Sequence, residues 1–312
     1  MVLFLHVYKT GGTSNRELFA KWAEAEGLRF AQAGSCPENA WMWKLPVDNH
    51  EYICLEPVRG SSLAPDGVTQ LDMPTPRPSQ MQIVSQQLDV IAGHFSWGFD
   101  QFVDRSHKYV TCLRNPTSRY VSDILYANRF THKTSEMDLQ QTVEFVEQHV
   151  FAKATERYRG IYAARLSSRM YEKIHGPDQQ TVETEEQAAG MAIFHLQSNM
   201  AVVGQIEHYP VFVELVAALL DPLVAATRKH DELWTDAKVY HSNKHEGFDQ
   251  SDVIPLLSVG AKTRLDELLA LDWRVYAAGC RVTYHQCRQV VSSGASRLRG
   301  SDCTAVRQTC EF

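Results

Sequence analysis

The sequence has no long uncharged apolar run. No segment reaches the roughly 18–20 apolar residues that cross a bilayer, and the longest apolar stretch, residues 211–226, is interrupted by Glu214 and Asp221. Residues 1–8 are apolar, but they have neither a basic leading region nor a small-residue cleavage site. We therefore expect the chain as given to be a soluble body. The alternative that a membrane anchor was removed from a longer natural protein stays open.

Positive charge is also scarce. The 312 residues include 31 Lys and Arg against 37 Asp and Glu, a formal net charge of −6. A dedicated nucleic-acid binder is disfavoured, because affinity for phosphates comes from clustered Lys and Arg. With 44 % hydrophobic and 22 % charged residues, the composition excludes a disordered or collagen-like chain.

Metal-binding patterns are missing as well. The sequence contains neither an HExxH motif nor a close CxxC pair, and scattered histidines do not make a metal site. No metal is therefore expected. The seven cysteines are too few for a fold built on disulfides.

What is present is an alternation of strands and helices. Apolar runs predict strands, and helical spacing predicts the segments between them; the strands fall at 1–8, 88–95, 108–114 and 201–207, and the main helices after residue 14 and within 116–174, 211–220 and 258–278. Residues 33–82 form a loop-rich excursion. This order predicts a three-layer α/β domain with a central parallel sheet over residues 1–278, followed by a cysteine-bearing tail over 279–312.

The strongest motif is KTGGTS, placed between the first strand and the first helix. Two glycines at such a turn let backbone N–H groups surround an anion, and the helix N-terminus adds partial positive charge. The lysine precedes the glycines, unlike the lysine of a nucleotide P-loop. The alternative is a glycine turn with a capping hydroxyl. The predicted anion site consists of Lys9, Thr10, Gly11, Gly12, Thr13 and Ser14.

A second motif, LRNPTSRYVS, ends the strand at 108–114 and enters a helix. Arg114 leaves the strand where it can make charge-assisted hydrogen bonds to a phosphate, and Ser122 follows two helical turns later. The alternative is an ordinary helix start with Arg119 on the surface.

Together the two motifs resemble the sulfotransferase superfamily, which uses 3′-phosphoadenosine 5′-phosphosulfate (PAPS). HVYKTGGTS is similar to its 5′-phosphosulfate loop, with Tyr8 in place of the usual proline, and LRNPTSRYVS to its 3′-phosphate motif, with Arg114 and Ser122 in the binding positions. The paired glycines and a VVGQIEHYPVF segment are closest to the carbohydrate branch, the heparan sulfate 2-O- and 6-O-sulfotransferases. The resemblance implies a P-loop-NTPase-like fold and metal-free sulfuryl transfer that leaves adenosine 3′,5′-bisphosphate (PAP).

The segment AGHFSWGF places His94 at a strand end between the two motifs. The carbohydrate branch has a catalytic base at this place, and histidine suits proton removal from a hydroxyl near neutral pH. Lys9 is the expected donor to the leaving oxygen. His6 is expected to be a core residue, and Glu56 and Asp100 are candidates for orienting His94 or the acceptor.

Two further sets of residues are weaker candidates. Asn243 and Lys244 lie in a segment that resembles a closing loop over the cofactor, although a plain polar loop is equally compatible. Arg165 and Arg169 recur at helical spacing with Lys173 and could follow an acidic glycan, whereas a solvated helix face is the alternative. The net charge of −6 favours a neutral or lightly charged acceptor over a heavily sulfated one.

The cysteines bear on the compartment. Four of them form the even pattern C-x6-C-x15-C-x6-C, which predicts two disulfides among Cys280, Cys287, Cys303 and Cys310. Cys36 and Cys54 could form a third, and Cys112 is expected to be a buried thiol. Such a set suits the Golgi lumen, where the enzymes it resembles work; a cytoplasmic protein with reduced thiols is the alternative.

The leading hypothesis is a PAPS-dependent sulfotransferase that acts on a hydroxyl of a saccharide. Within the same class, the acceptor could be a small-molecule alcohol, a phenol or a protein tyrosine. Outside it, the alternatives are a nucleotide-dependent kinase and a protein that binds nucleotide or glycan without turnover. The order of lysine and glycines argues against the kinase.

Overall fold

The computed structural model describes most of the chain in eleven ranges. These are residues 1–7, 9–35, 41–44, 52–55, 88–103, 105–129, 131–152, 159–167, 185–220, 247–294 and 296–310. They fold into an α/β structure in which helices cover both faces of one sheet. This arrangement is compatible with the three layers predicted from the sequence.

The described residues form a seven-stranded sheet. Its strands are β1 (Val2–His6), β2 (Phe30–Ser35), β3 (Trp41–Lys44), β4 (Tyr52–Leu55), β5 (Val90–Gly93), β6 (Lys108–Leu113) and β7 (Met200–Gln205), in the order β4-β3-β2-β5-β1-β6-β7. In this order, the neighbouring pairs β2–β5, β5–β1, β1–β6 and β6–β7 are parallel. At one edge of the sheet, β3 pairs antiparallel with both β2 and β4. The predicted parallel sheet is thus present. The prediction that 33–82 is loop-rich misses the two edge strands.

Helices flank the strands in chain order. They are α1 (Gly12–Ala25), α2 (Pro116–Ala127), α3 (Leu139–Phe151), α4 (Ile161–Leu166), α5 (Glu185–Ser198), α6 (Tyr209–Leu220), α7 (Gln250–Val253), α8 (Val259–Leu268), α9 (Ala270–Ser293) and α10 (Gly300–Cys310). Among the described helices, none has the length and apolar character that crossing a membrane requires.

The first strand is apolar from Val2 to Leu5 because both of its faces are buried. Leu3 and Leu5 join a core beneath α4, α5 and α9, whereas Val2 and Phe4 join a second core with α1, α6 and α10. A strand at the surface of the protein would instead alternate apolar and polar residues. β1 is therefore a central strand, and it is flanked by β5 and β6.

The C-terminal region is part of the folded body. The expected boundary after residue 278 lies within α9, and the expected single helix over 258–278 is divided at Leu269 into α8 and α9. A disulfide between Cys287 and Cys303 joins α9 to α10, and both cysteines are buried in the second core. Within the cysteine-bearing tail, Val290 and Val306 are also buried in the second core.

The other cysteine predictions have different outcomes. Cys112 is a buried thiol, as predicted. Cys280 is buried on α9, and the predicted second disulfide of the C-terminal set would involve Cys310, whose side chain lies outside the described residues. Cys36 and the side chain of Cys54 also lie outside them.

The strand order places a crevice at the carboxyl end of β1. After β1, the chain first forms β2 to β5, which all lie on one side of β1 in the sheet. It then crosses to the other side of β1 and forms β6 and β7. In open α/β sheets, ligands bind outside the carboxyl ends of strands where the winding direction reverses. The loops after β1, β5 and β6 all end at this edge, and they carry the two motifs and His94.

Candidate functional site

The turn after β1 is fixed by its own hydrogen bonds. The hydroxyl of Thr10 donates to the carbonyl of Val7 at 2.8 Å, and the Asn15 side chain donates to the carbonyl of Thr10 at 3.3 Å. Thr10 is completely buried. The proton of its hydroxyl therefore closes the turn in this structure.

Gly11 is required by both conformation and space. Its φ is 73°, in the left-handed region, and a Cβ built there would lie 2.4 Å from Cδ1 of Ile206. Helix α1 begins at the next residue, and its first backbone hydrogen bond runs from Asn15 to Gly11. The backbone N–H groups of Gly12, Thr13 and Ser14 thus form the first turn, which lacks intrahelical acceptors and favours an anion.

The Lys9 ammonium rests on an aromatic ring. Its Nζ lies 2.9 Å from the ring centroid of Tyr126 on α2, and the guanidinium of Arg129 lies 4.0 Å from the same centroid. Burial lowers the pKa of Lys9 to about 7, with Arg129 and Arg114 acting in the same direction and Asp123 opposing them. An anion bound here would raise that pKa, since it would favour the charged form.

Arg114 links the two motifs directly. Its Nη1 donates to the carbonyl of Lys9 at 3.1 Å. Its backbone is held by the Tyr162 hydroxyl, which accepts from the N–H of Arg114 and donates to its carbonyl. The guanidinium of Arg114 therefore lies beside the turn after β1.

Helix α2 starts as the motif predicts. The side chain of Asn115 accepts from the N–H of Ser118 at 3.1 Å, and Pro116 occupies the first helical position. The carboxylate of Glu207, which follows β7, accepts from the N–H of Asn115 at 2.7 Å. Burial raises the pKa of Glu207. Ser122 lies two turns along α2 and is largely buried.

Arg119, in the same motif, is not at the surface. It is completely buried, and its Nη2 lies 3.4 Å from the carboxylate of Asp272, which is also completely buried. Asp272 accepts from the N–H of Tyr162 at 2.7 Å. The alternative of a surface Arg119 is thus wrong: this arginine holds α2, α4 and α9 together behind Arg114.

His94 lies at the end of β5, across from the turn. Its Nδ1 is 3.2 Å from the carbonyl oxygen of His6. Because a carbonyl can only accept, Nδ1 carries the proton and the lone pair lies on Nε2. Burial lowers the pKa of His94 to about 3, with Arg165 and Arg16 contributing positive charge and the His6 carbonyl opposing them. The imidazole is therefore neutral at pH 7, as a base must be.

Arg165 belongs to this site. It is only 4 % exposed on α4, and it is the charged group with the largest effect on the pKa of His94. The alternative of a solvated helix face is wrong for this residue. Arg169 lies outside the described residues, and the predicted basic stripe therefore stays a prediction beyond Arg165.

Asp100 lies elsewhere. Its carboxylate accepts from the Tyr109 hydroxyl at 2.8 Å, and Tyr109 is near the start of β6, at the opposite edge of the sheet from His94. The structure therefore does not bring Asp100 to His94. Glu56, Asn243 and Lys244 lie outside the described residues, as do Tyr8 and the side chain of Thr13.

Sequence reasoning missed three residues near the site: Arg16, Tyr126 and Tyr162. Arg16 is one helical turn beyond the paired glycines, so a rule that reads the whole first two turns of α1 would have found it. Tyr126 lies seven residues after Arg119 on α2, at a spacing that repeats after two turns. Tyr162 has no local signal, because its contact with Arg114 spans distant parts of the chain.

Comparisons with known proteins assign no family to this chain. Searches against protein-family models and curated proteins find no match for this chain. Among the described residues, no group of three or more His, Cys, Asp or Glu is placed to hold a metal ion.

Proposed function

We propose that this protein is a sulfotransferase that transfers a sulfuryl group from PAPS to a hydroxyl group of a saccharide. One arrangement supports the proposal above all: Lys9, His94 and Arg114 follow three adjacent parallel strands and meet at one edge of the sheet. The order of the motifs along the chain is the one that the resemblance requires. The acceptor class rests on the resemblance alone.

Two anionic groups of the donor find matching partners in the site. The first-turn amides from Gly12 to Ser14, together with Lys9, suit the 5′-phosphosulfate. Arg114, just before α2, and Ser122, two turns along α2, suit the 3′-phosphate, because a guanidinium and a hydroxyl can both donate to phosphate oxygens. The hydrogen bond from Arg114 to the carbonyl of Lys9 supports the proposal that the two subsites lie side by side.

The chemistry assigns one role to each side of the site. Nε2 of His94 takes the proton of the acceptor hydroxyl while the acceptor oxygen forms a bond to sulfur. The bond between sulfur and the bridging oxygen breaks, and its electron pair stays on the phosphate of PAP. Lys9 and the loop amides stabilise the charge that builds on that oxygen, as in phosphoryl transfer.

The resting electrostatics suit an anionic substrate. The pKa of Lys9 is lowered to about 7 and that of His94 to about 3, in both cases mainly by burial and partly by neighbouring cations. A bound phosphosulfate would offset those cations. It would therefore return Lys9 to the charged form and move the pKa of His94 towards neutrality, where a general base is most effective.

We also propose that the protein works in an oxidising lumen such as the Golgi. The Cys287–Cys303 disulfide supports this, because structural disulfides persist in oxidising compartments. Mass spectrometry of the protein without reductant should find these two cysteines linked. Finding both as free thiols in protein made in the secretory pathway would remove the argument.

The direct test is transfer of labelled sulfur. The protein is incubated with sulfur-labelled PAPS and a panel of glycans, small alcohols, phenols and tyrosine peptides, with a parallel arm that offers ATP labelled in its γ-phosphate. Label on a glycan supports the proposal, and label on another acceptor replaces only the acceptor class. Transfer from ATP with none from PAPS would establish a kinase instead.

A further inference from the structure

His6 is a buried histidine without an evident role in the core. It ends β1 and is only 4 % exposed, and neither ring nitrogen has a hydrogen-bond partner within the described part of the chain. A buried polar group without a hydrogen-bond partner lowers the stability of the folded protein. An ordinary core position would be filled by an apolar side chain, and the other residues of β1 are apolar.

His6 touches His94 twice. Its carbonyl oxygen is 3.2 Å from Nδ1 of His94, and the centroids of the two imidazole rings are 4.1 Å apart, with the planes tilted by 33°. On its other side, His6 faces Phe4, with centroids 6.2 Å apart and an interplanar angle of 10°. His94 is thus held both by a hydrogen bond and by a ring face, and both come from one residue.

The charges around the pair keep His6 neutral. Burial lowers the pKa of His6 well below 6.5, and His94, Arg16, Arg165 and Lys9 act in the same direction. Three of these groups, Arg165, Arg16 and Lys9, also face His94. A proton that converted either imidazole of this pair to the charged form would be repelled by every one of these cations.

We propose that His6 is a positioning residue for His94: its carbonyl selects the tautomer with the proton on Nδ1, and its ring face fixes the plane in which Nε2 points at the acceptor. This inference rests on the proposed function for its catalytic meaning, but its structural content does not depend on transfer. Because the ring nitrogens of His6 have no hydrogen-bond partner among the described residues, we assign the role of the ring to its face.

The first test separates the ring face from the ring nitrogens. His6→Leu removes the face, and we expect kcat for sulfuryl transfer to fall about 10- to 100-fold, because a misplaced base costs this much. KM for PAPS should stay within about twofold, since His6 lies outside the predicted donor subsites. His6→Phe restores a ring face and should recover most of the lost kcat.

The matched control is Phe19→Leu. Like His6, Phe19 lies next to Phe4, with ring centroids 4.9 Å apart, and is completely buried, but it makes no described contact with His94. It should lower stability without the selective loss of kcat. Equal kcat in His6→Leu and wild type, or no recovery in His6→Phe, would overturn the role of the ring face.

The second test needs no activity. Proton–nitrogen NMR of the histidine side chains, with His94 assigned through the His94→Ala variant, reports which ring nitrogen carries the proton. We expect Nδ1–H in the wild type and also in His6→Leu, because the substitution leaves the backbone carbonyl of residue 6 in place. Nε2–H in the wild type, or a change of tautomer in a folded His6→Leu, would overturn the role assigned to the carbonyl. If no transfer is found but the NMR result is as expected, the proposed function fails and the positioning of His94 stands.

Discussion

The two edges of the parallel sheet treat charge in opposite ways. At the amino edge, the Asp89 carboxylate accepts hydrogen bonds from Arg29 and Arg105 at 3.1–3.2 Å, so that acid and base offset each other. At the carboxyl edge, cations lie beside cations: the neighbours that lower the pKa of Lys9 include Arg114 and Arg129, and those that lower the pKa of His94 include Arg165.

This difference shows what each edge is for. A neutralised edge contributes to folding and needs nothing from outside the chain. An edge that concentrates positive charge and buries its histidines in the neutral form costs stability, and that cost is offset when an anion binds. Substitutions at the carboxyl edge should therefore change binding or turnover, whereas substitutions at the amino edge should change only stability.

The largest effect is expected for His94→Ala. Loss of the general base should lower the rate of sulfuryl transfer by about 10²- to 10⁴-fold. Affinity for PAP should be unchanged, because His94 lies across from the predicted phosphate subsites. The rate is measured with labelled PAPS and the affinity by calorimetry. Retention of most of the activity would show that another group takes the proton.

Arg114→Ala should act on binding itself. Removing the charge-assisted hydrogen bonds to the 3′-phosphate should weaken PAP binding by about 10- to 100-fold, which corresponds to about 1.4–2.8 kcal/mol. Arg114→Lys keeps the charge but not the planar fork, and should lose less. Adenosine 5′-phosphosulfate, which lacks the 3′-phosphate, should bind both variants as it binds the wild type. Equal losses for both ligands would place Arg114 outside the 3′-phosphate subsite.

The pH dependence of stability should come from the buried histidines. His6 and His94 both have a pKa below 6.5 in the folded protein, that of His94 being about 3. Unfolding therefore takes up protons, and stability present above pH 6.5 is lost as the pH falls towards 3. At pH 5, the lowered pKa of each histidine should reduce the free energy of unfolding by at most about 2 kcal/mol. Urea unfolding between pH 7.5 and 4.5 should show this slope, and His94→Ala should flatten it. An identical slope in the variant would mean that His94 is not buried in the neutral form.

The smallest effect is expected at the amino edge. Asp89→Asn weakens the bonds to Arg29 and Arg105 and should lower the free energy of unfolding by about 1 kcal/mol, because the pair is partly exposed. Sulfuryl transfer and PAP affinity should stay at wild-type values. A change in either would mean that the two edges are coupled, contrary to the comparison drawn above.

Local signals explain what could be predicted from the sequence. An apolar strand, two glycines and a helix pattern specify the turn after β1 within a few residues, and Asn115 and Pro116 specify the start of α2 in the same way. His94 follows directly from the end of β5. These features depend on neighbours in the chain, and a sequence pattern records such neighbours.

Contacts between distant segments explain what could not be predicted. The burial of Arg119 depends on Asp272, far along the chain, and the position of Lys9 depends on Tyr126. The packing of α10 depends on a disulfide whose pairing the spacing left open. Local patterns are also ambiguous at Thr10, since a hydroxyl next to a glycine turn can face either a ligand or the backbone.

The most direct test of the anion site is calorimetry of PAP binding in buffers with different ionisation heats. PAP should bind more tightly than AMP, and at pH 7.5 its binding should take up protons, because the pKa of Lys9, lowered to about 7 in the unbound protein, rises beside an anion. Lys9→Met should remove most of that uptake. PAP binding no tighter than that of AMP, or without proton uptake that depends on Lys9, would contradict the central claim.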